Sequence, residues 1–133
     1  MEKMELSKKS LRFLPLLAVM GGIFFMSNQP GSSLSLPPIQ GIDKLLHAIA
    51  YAVLAASVIH AFPSWKERPV GPFAGVGVVL FCLLYGISDE FHQTFIPART
   101  ATLGDLLADT TGALLWVIAA RHRTGKGRGG ATE

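Results

Sequence analysis

The chain has 133 residues, 50% hydrophobic and only 16% charged, with 12 Lys and Arg against 9 Asp and Glu for a formal net charge of +3. Soluble domains carry about 25% charged residues, so this balance, with a mean hydropathy of +0.41, excludes an ordinary soluble domain, and the length suits one domain. The basic residues stand in short clusters beside apolar runs, which marks membrane orientation and excludes a nucleic-acid surface; the one cysteine, Cys82, excludes an intrachain disulfide and a Cys-rich metal site.

A helix crossing the ~30 Å hydrocarbon core needs about 20 mainly apolar residues. Four segments approach that length: 11–26, 43–62, 72–87 with an extension as far as 92, and 103–120. The expected fold class is all-α, a polytopic membrane protein with about four transmembrane helices in a small bundle. The first segment, LRFLPLLAVMGGIFFM, also has the basic start and short apolar core of a signal peptide. MSNQPGSS offers no good cleavage site after it, so a retained helix is expected. Pro15 lies near its start, where proline is tolerated, and the Gly21–Gly22 pair allows close helix contact. Prolines at 37, 38, 63, 69, 72 and 97 punctuate the connections.

Lysines and arginines set the orientation. Lys3, Lys8, Lys9 and Arg12 precede the first span; Lys66 and Arg68 lie between the second and third; Arg121, Arg123, Lys126 and Arg128 follow the fourth. Only Lys44 and Arg99 remain for the other side. The positive-inside rule therefore expects a multi-pass protein of the inner or plasma membrane with both termini cytoplasmic. Residues 1–10 form the cytoplasmic N-terminal segment, 11–120 the transmembrane domain, and 121–133 a flexible basic cytoplasmic tail.

Polar residues gather at the outward ends of three spans. In DKLLHAIAY, Asp43 and His47 are four residues apart and share a helix face, with Lys44 and Tyr51 nearby. The stretch GISDEFHQTFIPARTATLGDLLADTTG, residues 86–112, holds four of the nine acids. Within it Asp89 faces the same way as Gln93, Glu90 lies three residues before Gln93, and Asp105 is one turn from Asp109. Some of these have ordinary explanations: Asp43 as a cap, Asp105 in a first turn where the helix dipole favours an acid, Lys44 and Arg99 as snorkelling interfacial residues. Asp89 and Glu90 do not fit so simply, since they stand near a helix C-terminus, where the dipole disfavours acids. His47 and Asp109 lie a turn inside the membrane boundary, where an ionisable group normally faces a protein interior or a water-filled cavity. The expectation is an outward-facing polar pocket in which the acids balance Lys44, Arg99 and a protonatable His47, with Arg99 as the bidentate partner.

DKLLHAIAY, SDEFHQTFIPART and GDLLADTTGALL, in that order, resemble the pattern of VanZ-like bacterial integral membrane proteins: D-K-x-x-H-x-x-x-Y, D-E-x-x-Q-x-x-x-P-x-R and D-x-x-x-N-x-x-G. The resemblance covers about residues 42–115. Asp109 stands where the family commonly has Asn, which adds a negative charge. The family is named for an accessory component of glycopeptide resistance associated with teicoplanin, so the resemblance implies a cell-envelope role without supplying a reaction.

Three readings of the pocket stay open, and with them whether the chain is an enzyme. In the first, Lys44, Tyr51, Gln93, Arg99, Asp105 and Asp109 help bind a cell-envelope lipid, a lipid-linked envelope precursor or an amphiphilic glycopeptide. In the second, His47 is the base of an acid–base reaction on such a precursor, oriented by Asp43 or Asp89 and accompanied by Glu90, because its unperturbed pKa lies near working pH; Ser88 has no G-x-S-x-G context for a nucleophile. In the third, the polar groups only lock the helices together. A cation held by Asp43, His47, Glu90, Asp105 and His92 is opposed by Lys44 and Arg99 and by the lack of a dense ligand motif, so no metal ligand is assigned. The sequence names no cofactor and fixes no oligomeric state; the bilayer is the one partner its composition requires.

Overall fold

The computed structural model describes residues 10–33, 37, 39–62 and 70–126, the side chains of 124–126 excepted. Lys3, Lys8, Lys9, Lys66, Arg68 and Arg128, which carry much of the orientation argument, lie outside the described residues. Among those described there is no strand, and four α-helices make up the fold.

Helix α1, Leu14–Ser27, has 14 residues, with Pro15 in its first turn, where a missing N–H costs nothing. At 1.5 Å per residue it is about 21 Å long, shorter than the ~30 Å core. After it, Gly31–Ser33 forms a single 3-10 turn. Helix α2 is Ile42–Ala61, α3 is Pro72–Gln93 and α4 is Leu103–Lys126. These three are long and apolar enough to cross a membrane. Helix α3 continues past residue 92 to Gln93, and α4 runs on past 120, into the stretch expected to be a flexible tail.

Each start has a local cause. Gly41, at φ +81°, makes the left-handed turn into α2, and Asp43 lies in that helix's first turn. Helix α3 begins with proline at its first position. Thr102 precedes α4 and caps it: its Oγ accepts from Asp105 N at 3.2 Å and donates to Asp105 Oδ2 at 2.6 Å.

Helix α2 occupies the centre, packed along α4 and also touching α1 and α3. The buried faces follow helical spacing: Tyr51, Leu54, Ala55 and Val58 on α2; Gly75, Val78, Cys82 and Gly86 on α3; Ala113 and Val117 on α4. Toward the 86–112 connection the same stripes turn polar, ending at His47 on α2, at Asp89, Glu90 and Gln93 on α3, and at Asp105 and Asp109 on α4. Large side chains such as Phe25, Ile49, Phe73, Leu84 and Leu115 point outward, as helices facing lipid require.

Two glycines set how closely the helices approach. A Cβ at Gly112 of α4 would overlap the carbonyl of Ala48 on α2, so only glycine lets these backbones meet. A Cβ at Gly86 of α3 would lie 3.1 Å from Asp109 Oδ2 and 3.4 Å from the Tyr51 ring. Helix α1 is tied in by the Tyr85 hydroxyl, which donates to Met20 O at 2.7 Å.

Candidate functional site

The Gly112–Ala48 contact places residue 47 beside the turn of α4 that carries Asp109. His47 Nδ1 lies 2.9 Å from Asp109 Oδ1, and Asp109 is completely buried. The imidazole is thus oriented by Asp109, which corrects the expectation that Asp43 or Asp89 would orient it. The reason is packing: α2 meets α4 along its length, whereas Asp89 faces α1.

Nearer the rim, Lys44 Nζ bridges Asp43 Oδ2 at 2.9 Å and Asp105 Oδ1 at 2.8 Å. Asp43 is half exposed, with 51% of its side chain accessible, while the Asp105 side chain keeps only 9%. The bridge joins the first turns of α2 and α4.

A third group joins α3 to α1. Asp89 Oδ2 accepts from Ser27 Oγ at 2.7 Å and from Gln93 Nε2 at 3.1 Å, and that amide also reaches Ser27 Oγ at 3.3 Å. Ser27, Asp89 and Gln93 are all buried. The Asp89–Gln93 pairing is the expected one-turn contact on α3; Ser27 was not anticipated, because one serine closing an apolar run has no signature.

Arg99 does not pair with the acids. Its Nη2 donates to Met26 O at 2.6 Å and its Nε to Gln29 O at 3.1 Å. The guanidinium therefore binds carbonyls at the C-terminal end of α1, where Met26 O also accepts from Gln29 N at 3.2 Å. The connection around it fits this role, since Gly31 N donates to Pro97 O at 3.2 Å and Gly31 packs directly on the Ala98 carbonyl. The near-balanced network of acids around Arg99 is corrected accordingly.

Glu90 reaches across to α4, where its Oε2 accepts from the Thr102 backbone N–H at 3.0 Å. It caps a donor that α4 leaves free. Thr102 could have been found from the T-x-x-D spacing ahead of an apolar run. His92 turns away from the cluster, with Nε2 3.3 Å from Asn28 Oδ1 and its ring against Phe24.

Among the described residues, three side-chain polar atoms remain buried without a hydrogen-bond partner: Tyr51 Oη, Glu90 Oε1 and Asp109 Oδ2. Buried polar groups are normally satisfied, and these three belong to residues surrounding His47. His47, Glu90 and Asp109 each present a ligand-type atom within 4.8 Å of the others.

Beside this cluster, a cavity of about 420 Å³ opens between α1, α2 and α3. Val19, Ile23, Leu46 and Val53 are among its apolar walls, and Ser27, His47, Asp89 and Gln93 line its polar part. Of the residues expected to form one pocket, Asp43, His47, Tyr51, Asp89, Gln93 and Arg99 line this cavity. Lys44, Glu90, Asp105 and Asp109 stand behind or beside it along α4.

The family model described as VanZ/LLP1 matches residues 11–123, a span that takes in α1, α2, α3, all but the last three residues of α4, and every residue of the cluster. No curated protein and no solved structure matches the chain.

Proposed function

This chain belongs to the VanZ/LLP1 family of membrane proteins, and from that premise we propose that it binds an amphiphile of the cell envelope. The occupant is a lipid, a lipid-linked precursor or a lipoglycopeptide of the teicoplanin kind. The observation that carries this reading is the cavity between α1, α2 and α3, whose apolar wall passes directly into the buried Ser27–Asp89–Gln93 group. Ligand sites are mostly apolar clefts with a few convergent polar groups, of about 300–1,000 Å³. An acyl or prenyl tail fits against Val19, Ile23, Leu46 and Val53, with its head at Ser27, Gln93 and His47. The positive-inside distribution of Lys and Arg puts that polar end on the outer face and both termini in the cytoplasm.

Native mass spectrometry of the full chain, with a polyprenyl phosphate and with teicoplanin as separate probes, tests this reading. Ser27→Ala and Asp89→Asn should each weaken retention of one probe at least tenfold, while the outward-facing Leu115→Ala should not. Equal retention by all three variants would sink it.

A catalytic reading is favoured by one separate observation, the His47–Asp109 pair beside the cavity. A carboxylate on Nδ1 fixes the imidazole so that Nε2 serves as the base. Under this reading His47→Gln abolishes an envelope or resistance phenotype while membrane abundance is unchanged. A phenotype that survives the substitution removes catalysis by His47.

A further inference from the structure

We infer that His47, Glu90 and Asp109 form a binding site for one divalent transition-metal cation between α2, α3 and α4. The three residues come from three helices, and their ligand-type atoms lie within 4.8 Å of one another. Two ligands bound at ~2.1 Å to one ion are about 3.0 Å apart at right angles and at most about 4.2 Å apart. His47 Nδ1 and Asp109 Oδ1, at 2.9 Å, already have the right-angle spacing. The remaining contacts, within 4.8 Å, reach the ~3.4 Å spacing of a tetrahedral set by side-chain movement of at most about 1.4 Å.

The unpartnered atoms point independently to an occupant. Asp109 Oδ2 and Glu90 Oε1 are buried carboxylate oxygens without a donor, on residues 0% and 8% exposed. The Tyr51 hydroxyl is likewise buried and unpartnered. Tyr51 and Asp109 Oδ2 lie on the same side of Gly86, both within 3.4 Å of where its Cβ would be. Glycine at 86 leaves the room that these groups share.

Charge favours the same occupant. Asp89, Glu90 and Asp109 are all buried, and among the described residues His47 is the cationic candidate hydrogen-bonded to one of them. Lys44 and Arg99 would oppose a cation if they entered the cluster, but Lys44 is committed to Asp43 and Asp105, and Arg99 to the carbonyls of Met26 and Gln29. Buried carboxylates without counter-charge are costly, and a divalent ion offsets that cost directly. One imidazole with two carboxylates suits Zn²⁺ or Mn²⁺; no thiolate takes part, and Mg²⁺ gives up its water too reluctantly to favour such a set.

His47 also lines the cavity, but Glu90 and Asp109 do not, so variants of those two test the metal site separately from the cavity. Full-length protein in detergent, stripped with a chelator, is titrated with Zn²⁺ alone and with Mn²⁺ alone by calorimetry, and metal content is measured by mass spectrometry. One equivalent of one of these ions should bind and raise the melting temperature. Glu90→Gln, which keeps the acceptor for Thr102 N, and Asp109→Asn, which keeps a partner for His47, should each weaken binding at least tenfold. Asp43→Asn and Ser27→Ala should bind as the parent does. Absence of saturable one-to-one binding by the unmodified chain, for both ions, overturns the inference whatever the variants do. Affinity equal to the parent's in both Glu90→Gln and Asp109→Asn also overturns it and places the ion elsewhere.

Discussion

His47 Nδ1 and Asp109 Oδ1, 62 residues apart in sequence, meet at 2.9 Å because Gly112 lets the backbone of α4 rest on Ala48 of α2. The polar pair and the glycine contact are consecutive turns of one helix interface. Disturbing either should therefore disturb the other.

The pair itself should be energetically coupled. A double-mutant cycle with His47→Ala and Asp109→Ala isolates the term. The expected coupling is about 1 kcal/mol, since polar contacts in membrane proteins average ~0.6 and reach ~1.7 kcal/mol. Unfolding in mixed micelles provides the measurement, and additive effects would mean that the two side chains do not interact.

Gly112→Ala should destabilise the bundle by about 1–3 kcal/mol, the usual range for overpacking. Its Cβ meets a backbone carbonyl, which cannot rotate away as a side chain can. Gly21→Ala is the contrasting case: nothing lies within 4 Å of a Cβ at Gly21 or Gly22, so the close helix contact expected of that pair is not made. In mid-helix this substitution should be neutral or stabilise by about 0.5–1 kcal/mol. Membrane abundance and thermal-aggregation temperature should fall for Gly112→Ala and stay level or rise for Gly21→Ala.

Arg99→Gln should loosen the end of α1 without releasing any acid, because Arg99 holds Met26 O and Gln29 O. Cysteines placed on Gln29 and Ala98 report the separation by cross-linking yield, which should fall. Asp89→Asn should not restore it. Restoration would instead establish the ion pair that the sequence suggests.

Lys44→Gln breaks both the Asp43 and Asp105 contacts, yet should cost only about 1 kcal/mol or less. Its side chain is 43% exposed, and a bridge so accessible to water is worth little. A loss several times larger would show that the bridge does more than join two helix ends.

The orientation has its own outcome. A reporter active only outside the cytoplasm should work when fused after Gln40 and stay silent when fused after Lys66. The reverse pattern would invert the placement of the pocket.

The sequence by itself determined the all-helical class and its four apolar segments, because helical length and hydrophobicity are local properties that lipid leaves few ways to satisfy; that three of them are long enough to span and the first is shorter came from the structure. It also determined which end of the bundle is polar, since Asp43 with His47, Asp89 with Gln93 and Asp105 with Asp109 each share a helix face by spacing alone. Only the tertiary structure decided the partners across helices. His47 goes to Asp109, Asp89 to Ser27, Glu90 to Thr102 N, and Arg99 to backbone carbonyls. Spacing states which side chains leave a helix on one side, but it says nothing about which helix lies there. That depends on where two backbones can approach, and at Gly112 and Gly86 the missing Cβ fixes the register that selects each partner.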